Sequence, residues 1–328
     1  MKYTLVYRGS APPGPDPGPD PGGKATVTIY SLIHSDITCT SQSGEITKIS
    51  DSTSVDRLSL ETGTYTFTGT HNGTELLSYT LTVSSATKYD VVLPKIVTWA
   101  GGADDEISLM CLAHRKKVIS LMNYWNVGDA RVIHVNEMEA YNNTQSTYTA
   151  RDLNMVLLHA GGLKYEDNIT ECAFVVGITK SFGDTVLLDK NASTMPGGWP
   201  QCGAKQWFDT TFYNAIPESI RPIFQKWTNS YMTVSGAVST SGYFAPPMEC
   251  NFTGNNNNSL DKNGHGNYFQ FKYYETIANV PTMSWMSTLY AAENGDAFSI
   301  LYKRGSAVRI VYAAPNERGW DMTFHGVI

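Results

Sequence analysis

Charge is scarce in this sequence: Asp, Glu, Lys and Arg make up only 16% of the 328 residues, and they sum to a net charge of -6. A nucleic-acid binder needs a basic footprint, and this balance does not supply one. No run of apolar residues reaches the length of a membrane span, so no membrane insertion is expected. The opening "MKYTLVYRGSAPPG" has a lysine but no continuous apolar core, and it is not read as a secretory signal. Cysteine is sparse and unpaired: Cys39, Cys111, Cys172, Cys202 and Cys250 are widely spaced, with no C-x-x-C. Neither a disulfide framework nor a zinc site fits that spacing. They read as small buried hydrophobes in a chain folded in a reducing compartment.

The familiar catalytic signatures are lacking too. There is no G-x-S-x-G, no H-E-x-x-H, no P-loop and no G-x-G-x-x-G. His34, His71, His114, His134, His159, His265 and His325 show no ligand spacing. The carboxylate pairs Asp104–Asp105 and Glu137–Glu139 read as a helix start and as surface charge, not as a glycosidase dyad. One loop, "NFTGNNNNSLDKNGHGN" (residues 251–267), offers Asp261 and Asn263 as oxygen donors and Gly264 as a bend. It lacks the spaced carboxylates and bidentate Glu of a calcium loop and reads as a polar loop. No enzyme activity, cofactor or metal is expected.

What is present is aromatic and strand-like: 12% Phe, Trp and Tyr, with 19 Tyr and 7 Trp, suiting β-structure or a contact surface. Residues 1–10 hold one short strand, "YTLVYR", read as an attachment peptide or a tail. "APPGPDPGPDPGG" (residues 11–23) reads as an extended, semi-rigid linker. Residues 24–94 alternate with period two and carry turn signals. Val27 and Ile29 share one face, as do Tyr65 and Phe67. A turn falls at "HNG" (residues 71–73), and Tyr79, Leu81, Val83, Tyr89, Val91 and Leu93 follow. This reads as a small β-sandwich, and its cadence resembles the Ig-like and carboxypeptidase-regulatory-like spacer modules of surface proteins.

Residues 95–123 hold a connector helix, expected over 104–122. Asp104, Asp105 and Glu106 stand at its start and His114, Arg115, Lys116 and Lys117 toward its end. Its apolar stripe is Ile107, Met110, Cys111, His114, Val118 and Leu121. From residue 124 onward the chain reads as one α+β region. "RDLNMVLLHAGG" is a strand or a short helix, and "ECAFVVGITKSF" is a strand. Trp207, Phe208, Thr211 and Phe212 mark a helical face, and Pro217–Glu218 is placed to start a second helix. Polar loops follow. The terminal "FSILYKRGSAVRIVYAAPNERGWDMTFHGVI" reads as a hairpin turning at Gly305, with Ile300, Ile310, Phe324 and Ile328 facing inward.

Several stretches in order carry a resemblance. They are "YWNVGDARVIHVNEM" (124–138), "DLNMVLLHAGG" (152–162), "ECAFVVGI" (171–178), "MPGGWPQCGAKQWFDTTFYNAIPESIRPIF" (195–224) and "YFQFKYYETIANV" (268–280). Together they resemble a domain of unknown function found in gut Firmicutes, their phages and prophages. Its layout is similar to the C-type-lectin-like fold of the formylglycine-generating-enzyme type. The resemblance implies a multidomain protein, an N-terminal Ig-like β-sandwich followed by a C-terminal α+β C-type-lectin-like domain over residues 124–328. It also implies a tail-tip role, and some domains of this kind are variable proteins of diversity-generating retroelements. Cys202 and Cys250 do not sit in the cysteine motif of the formylglycine-generating enzymes and read as structural.

The departures from that family point to a site. Phe298, Tyr302, Gly305, Gly319, Gly326 and Ile328 fit its scaffold pattern, whereas Met286, Ser287, Thr288, Lys303, Arg304, Arg309, Trp320, Asp321 and Met322 do not. Kept framework with individual side chains between is what a recognition surface on a rigid base looks like. The expected ligand-binding set is Trp285, Met286, Thr288, Tyr290, Lys303, Arg304, Arg309, Tyr312, Trp320, Asp321 and Met322. The function expected is that of a virion tail-fibre or receptor-binding protein, assembled in the host cytoplasm. Its partners would be a host cell-surface receptor, protein or glycan, and other tail or baseplate proteins, with a homo-oligomer as one arrangement. A bacterial surface adhesin or carbohydrate-binding module is the alternative, and a cell-wall-acting enzyme is a third reading without a catalytic constellation.

Overall fold

The computed structural model describes residues 23–142, 145–167, 170–178, 186–191, 193–247, 283–289, 298–304, 307–313 and 324–328. The expected attachment strand, nearly all of the linker, Cys250 and the Asn-rich loop lie outside the described residues. Strands predominate and form several sheets. The chain divides into two compact units, Met1–Tyr124 with Glu218–Ile223, and Trp125–Pro217 with Phe224–Ile328.

In the first unit the strands are β1 (Ala25–Tyr30), β2 (Ser35–Ser41), β3 (Ile46–Ile49), β4 (Val55–Leu60), β5 (Gly63–His71), β6 (Thr74–Glu75), β7 (Tyr79–Val83) and β8 (Lys88–Val92). One sheet has the order β4-β1-β8, and the other runs β3-β2-β5-β6 with β7 also paired to β5. Period-two alternation sets the faces. Ala25, Val27 and Ile29 point into a core with Ile37, Cys39, Phe67, Leu81, Val83 and Val91. The opposite face of β5 and β7 is threonine, with Thr66 facing Thr80 and Thr64 facing Thr82, hydroxyls 3.5 Å apart. Threonine suits that position because its β-branch fits the pleat while its hydroxyl stays in water.

Helix α1 (Asp104–Arg115) belongs to this unit and is shorter than its stripe suggests. Glu106 reaches back to accept from the Ala103 N–H at 2.8 Å and takes the Lys95 ammonium at 2.6 Å. Burial pushes the Glu106 carboxyl up, but Lys95 and the Ala103 N–H outweigh it and hold it below its ordinary value. The helix stops because Lys117 turns to φ 61, outside the helical region, and Leu121–Asn123 makes a separate 3-10 turn. Ile107, Met110, Cys111 and Leu121 are nonetheless all fully buried. Pro217 starts no second α-helix. Residues 218–223 form a turn and the short 3-10 turn Arg221–Ile223, where Pro222 removes a donor and restricts Arg221. Ser219 holds this segment to α1, accepting from Ser108 Oγ at 2.7 Å and donating to Asp104 Oδ2 at 3.0 Å.

In the second unit β9 (Ala130–Val135), β10 (Met138–Glu139), β11 (Thr147–Tyr148), β12 (Arg151–Ala160), β13 (Lys164–Tyr165) and β14 (Phe174–Ile178) precede the helical stretch. After it come β15 (Trp227–Thr233), β16 (Gly236–Gly242), β17 (Met283–Leu289), β18 (Phe298–Arg304), β19 (Ala307–Ala313) and β20 (His325–Val327). The sheets are β20-β14-β12-β9, β13-β15-β16, β17-β18-β19 and the small pair β10-β11. The segment 151–160 is thus a strand, ending where Gly161 and Gly162 adopt φ 69 and 90. The hairpin β15–β16 stands where the sequence reads as the end of a helix and then polar loop. Its outward positions are hydroxyls, Thr228 with Ser241 at 2.7 Å and Ser230 with Ser239 at 2.8 Å, so no apolar alternation announces it.

Candidate functional site

The helical stretch of the second unit is built in three pieces: α2 (Gly203–Trp207), a π-helical turn over Phe208–Phe212, and α3 (Tyr213–Ala215). The wider π turn inserts a residue into the helical count, and Trp207, Phe208 and Phe212 are all buried. Gly203 at its start leaves room for the Tyr141 hydroxyl, since a Cβ there would fall 1.8 Å from it and displace that side chain. Trp207 Nε1 donates to the Glu139 carbonyl at 2.8 Å. Lys205 Nζ donates to Asp209 Oδ2 at 2.6 Å and to the Ser241 carbonyl at 2.7 Å, while the Tyr243 N–H donates to Asp209 Oδ1 at 2.7 Å. One ion pair therefore ties the helix to the end of β16.

The last residues close this scaffold. Phe324, His325, Gly326, Val327 and Ile328 are buried, as their apolar character suggests. β20 pairs with β14, and bridges join Val327 to Gln225 and His325 to Ala245. Two glycines permit the approach. A Cβ on Gly177 would lie 2.2 Å from the Phe324 carbonyl, and one on Gly326 would lie 2.8 Å from the Phe244 ring. Phe324 enters a cluster with Phe208, Phe212 and Phe244 at centroid distances of 5.0, 4.6 and 5.4 Å. His325 lies against Trp227 at 5.2 Å, and burial pushes its imidazole down to about 3.

Along the chain, ahead of the terminal strand, comes the sheet that carries much of the expected binding set. β18 and β19 pair antiparallel as expected, with Arg304 opposite Ala307, and the expected turn at Gly305 lies outside the described residues. The register corrects one expectation. Ile300 pairs with Val311 and Leu301 with Ile310, so positions 300 and 310 fall on opposite faces and do not both turn inward. Residues directly opposite share a face. Trp285, Ile300, Tyr302, Arg304 and Arg309 therefore occupy one face of the sheet, and Lys303, Ile310 and Tyr312 the other. Met286 and Thr288 fall where the β17–β18 register shifts, between Trp285 and Leu289. Tyr290, Trp320, Asp321 and Met322 lie outside the described residues.

The cysteines of the described residues, Cys39, Cys111, Cys172 and Cys202, are free and buried. Cys202 is fully buried and donates to the Leu188 carbonyl at 2.6 Å, and burial pushes its thiol up to about 12. Burial likewise raises Cys172 to about 12 and Cys39 to about 11. Such thiols stay protonated at neutral pH and are poor nucleophiles. Among the described residues no group of His, Cys, Asp and Glu is arranged to hold a metal ion, and no helix is long and apolar enough to cross a membrane. No family model, curated protein or solved structure matches the chain.

Proposed function

We propose that the protein is a phage virion component, a tail-fibre or receptor-binding protein, that recognises a host-surface ligand through its second unit. In this reading the first unit is an Ig-like spacer, and the second is a C-type-lectin-like domain whose β17–β19 sheet presents the recognition residues. The observation that carries it is the register that sets Trp285, Arg304 and Arg309 on one face of an antiparallel sheet. Trp and Arg are side chains over-represented among interface hot spots. A rigid base supports the reading, since the strand that ends the chain is fixed by Phe324 and by two bridges. The withdrawn thiols favour binding over chemistry.

The test is competition. The purified chain is added to cells of candidate gut Firmicutes hosts before challenge with phage that carry it. Saturable binding to the cells together with reduced phage adsorption is expected. Absence of cell binding across hosts that the phage infects would contradict the proposal.

A further inference from the structure

The tip of the β5–β6 hairpin holds an arrangement that the receptor reading does not use. His71 pairs with Thr74, leaving Asn72 and Gly73 as a two-residue turn with φ 48 and 75. This is the Asn-Gly turn in which both central residues take positive φ. Both are exposed, and no atom beyond its two chain neighbours lies within 4 Å of where a Cβ on Gly73 would stand. The Asn72 side-chain amide lies against His71, Nδ2 to Nε2 at 2.9 Å. The far side of the imidazole contacts Ser35, Nδ1 to Oγ at 3.5 Å, and Ser35 Oγ already donates to the Leu32 carbonyl at 2.7 Å. With the Ser35 proton committed, Nδ1 is the donor and the Nε2 lone pair faces the Asn72 amide.

We infer that Asn72 is a site of self-modification, converting to aspartate and isoaspartate with His71 assisting. The Gly73 nitrogen loses its proton to solvent and attacks Asn72 Cγ. The Cγ–Nδ2 bond breaks, and Nδ2 leaves as ammonia after taking a proton that solvent supplies through the Nε2 lone pair of His71, 2.9 Å away. The product is a five-membered imide. Water then adds to one of its two carbonyls and opens the ring, giving aspartate at one and isoaspartate at the other. The net change is hydrolysis of one amide, with no oxidant or cofactor. Glycine leaves the attacking nitrogen uncrowded, and the two-residue β6 offers little resistance to opening of the tip. The modification adds a negative charge, and in the isoaspartate form it lengthens the backbone by one carbon and dismantles the turn.

The test ages the full chain at neutral pH and maps its peptides by mass. Mapping is needed because Asn263–Gly264 and Asn294–Gly295 share the dipeptide. Expected is progressive conversion at Asn72, detected as the replacement of –NH2 by –OH and as isoaspartate. His71→Phe should slow it several-fold in the folded protein and leave the rate in concentrated urea unchanged. Conversion in urea with an intact Asn72 in the folded chain would overturn the inference, because the fold would then protect the site. An unchanged folded rate in His71→Phe would remove the imidazole from the mechanism.

Discussion

Phe324 meets Phe212 edge to face, ring centroids 4.6 Å apart and planes at 69°. A side chain four residues before the last position thus sits in the same aromatic cluster as the helical stretch. Aromatic pairs in this geometry contribute beyond their buried area. Phe324→Ala should therefore cost about 3–5 kcal/mol, the range for truncating a buried Phe. Urea unfolding followed by tryptophan fluorescence measures it, and a loss below about 1 kcal/mol would mean the terminus is not tied to the core as described.

The Lys205–Asp209 pair has only 14% and 17% of its side chains exposed. Removing one partner leaves the other charge buried, so Lys205→Met should cost about 3–5 kcal/mol. Asp209→Asn added to Lys205→Met should recover part of that loss, because the amide oxygen still accepts from the Tyr243 N–H. A double-mutant cycle reads the coupling. Additive losses would show that the pair does not act as a unit.

His325 gives a pH dependence with a definite sign. Its ordinary value is 6.5, and burial lowers it to about 3 in the folded chain. The unfolded state then binds the proton more readily between those two values. The contribution is complete above pH 6.5 and is lost progressively as the pH falls toward 3. His325→Gln should flatten the acid limb of a stability-versus-pH curve. An unchanged limb would assign acid sensitivity to other groups.

Much of the first unit is legible in the sequence because its strands are half-buried. Val27 and Ile29, or Leu81 and Val83, alternate with exposed Thr and Ser, and Asn72–Gly73 announces its own turn. The end of α1 is not legible, since the apolar stripe continues through Val118 and Leu121 while Lys117 leaves the helical region. Hairpin β15–β16 hides for the opposite reason. Its buried side alternates Trp227 and Tyr231 with Asn229 and Thr233, which breaks up the apolar pattern. The faces of β18 and β19 needed the pairing register: alternation along each strand makes Ile300 and Ile310 look equivalent, and the pairing of Ile300 with Val311 and of Leu301 with Ile310 sets them apart.

Thiol chemistry offers a check on the binding reading. Cys39, Cys172 and Cys202 should resist alkylation at neutral pH in the folded chain and react fully in urea, given values of about 11, 12 and 12. Rapid native-state labelling of Cys202 by iodoacetamide, read by peptide mass, would show a reactive thiol and count against the binding reading.

The central claim is that the sheet near the end of the chain recognises the host. The direct measurement is adsorption of phage carrying Arg304→Ala, Arg309→Ala and Trp320→Ala together, alongside the melting temperature of the same purified variant. The account predicts a melting temperature close to that of the parent and markedly weakened adsorption. Normal adsorption by a folded variant would contradict it and move the recognition surface elsewhere on the molecule.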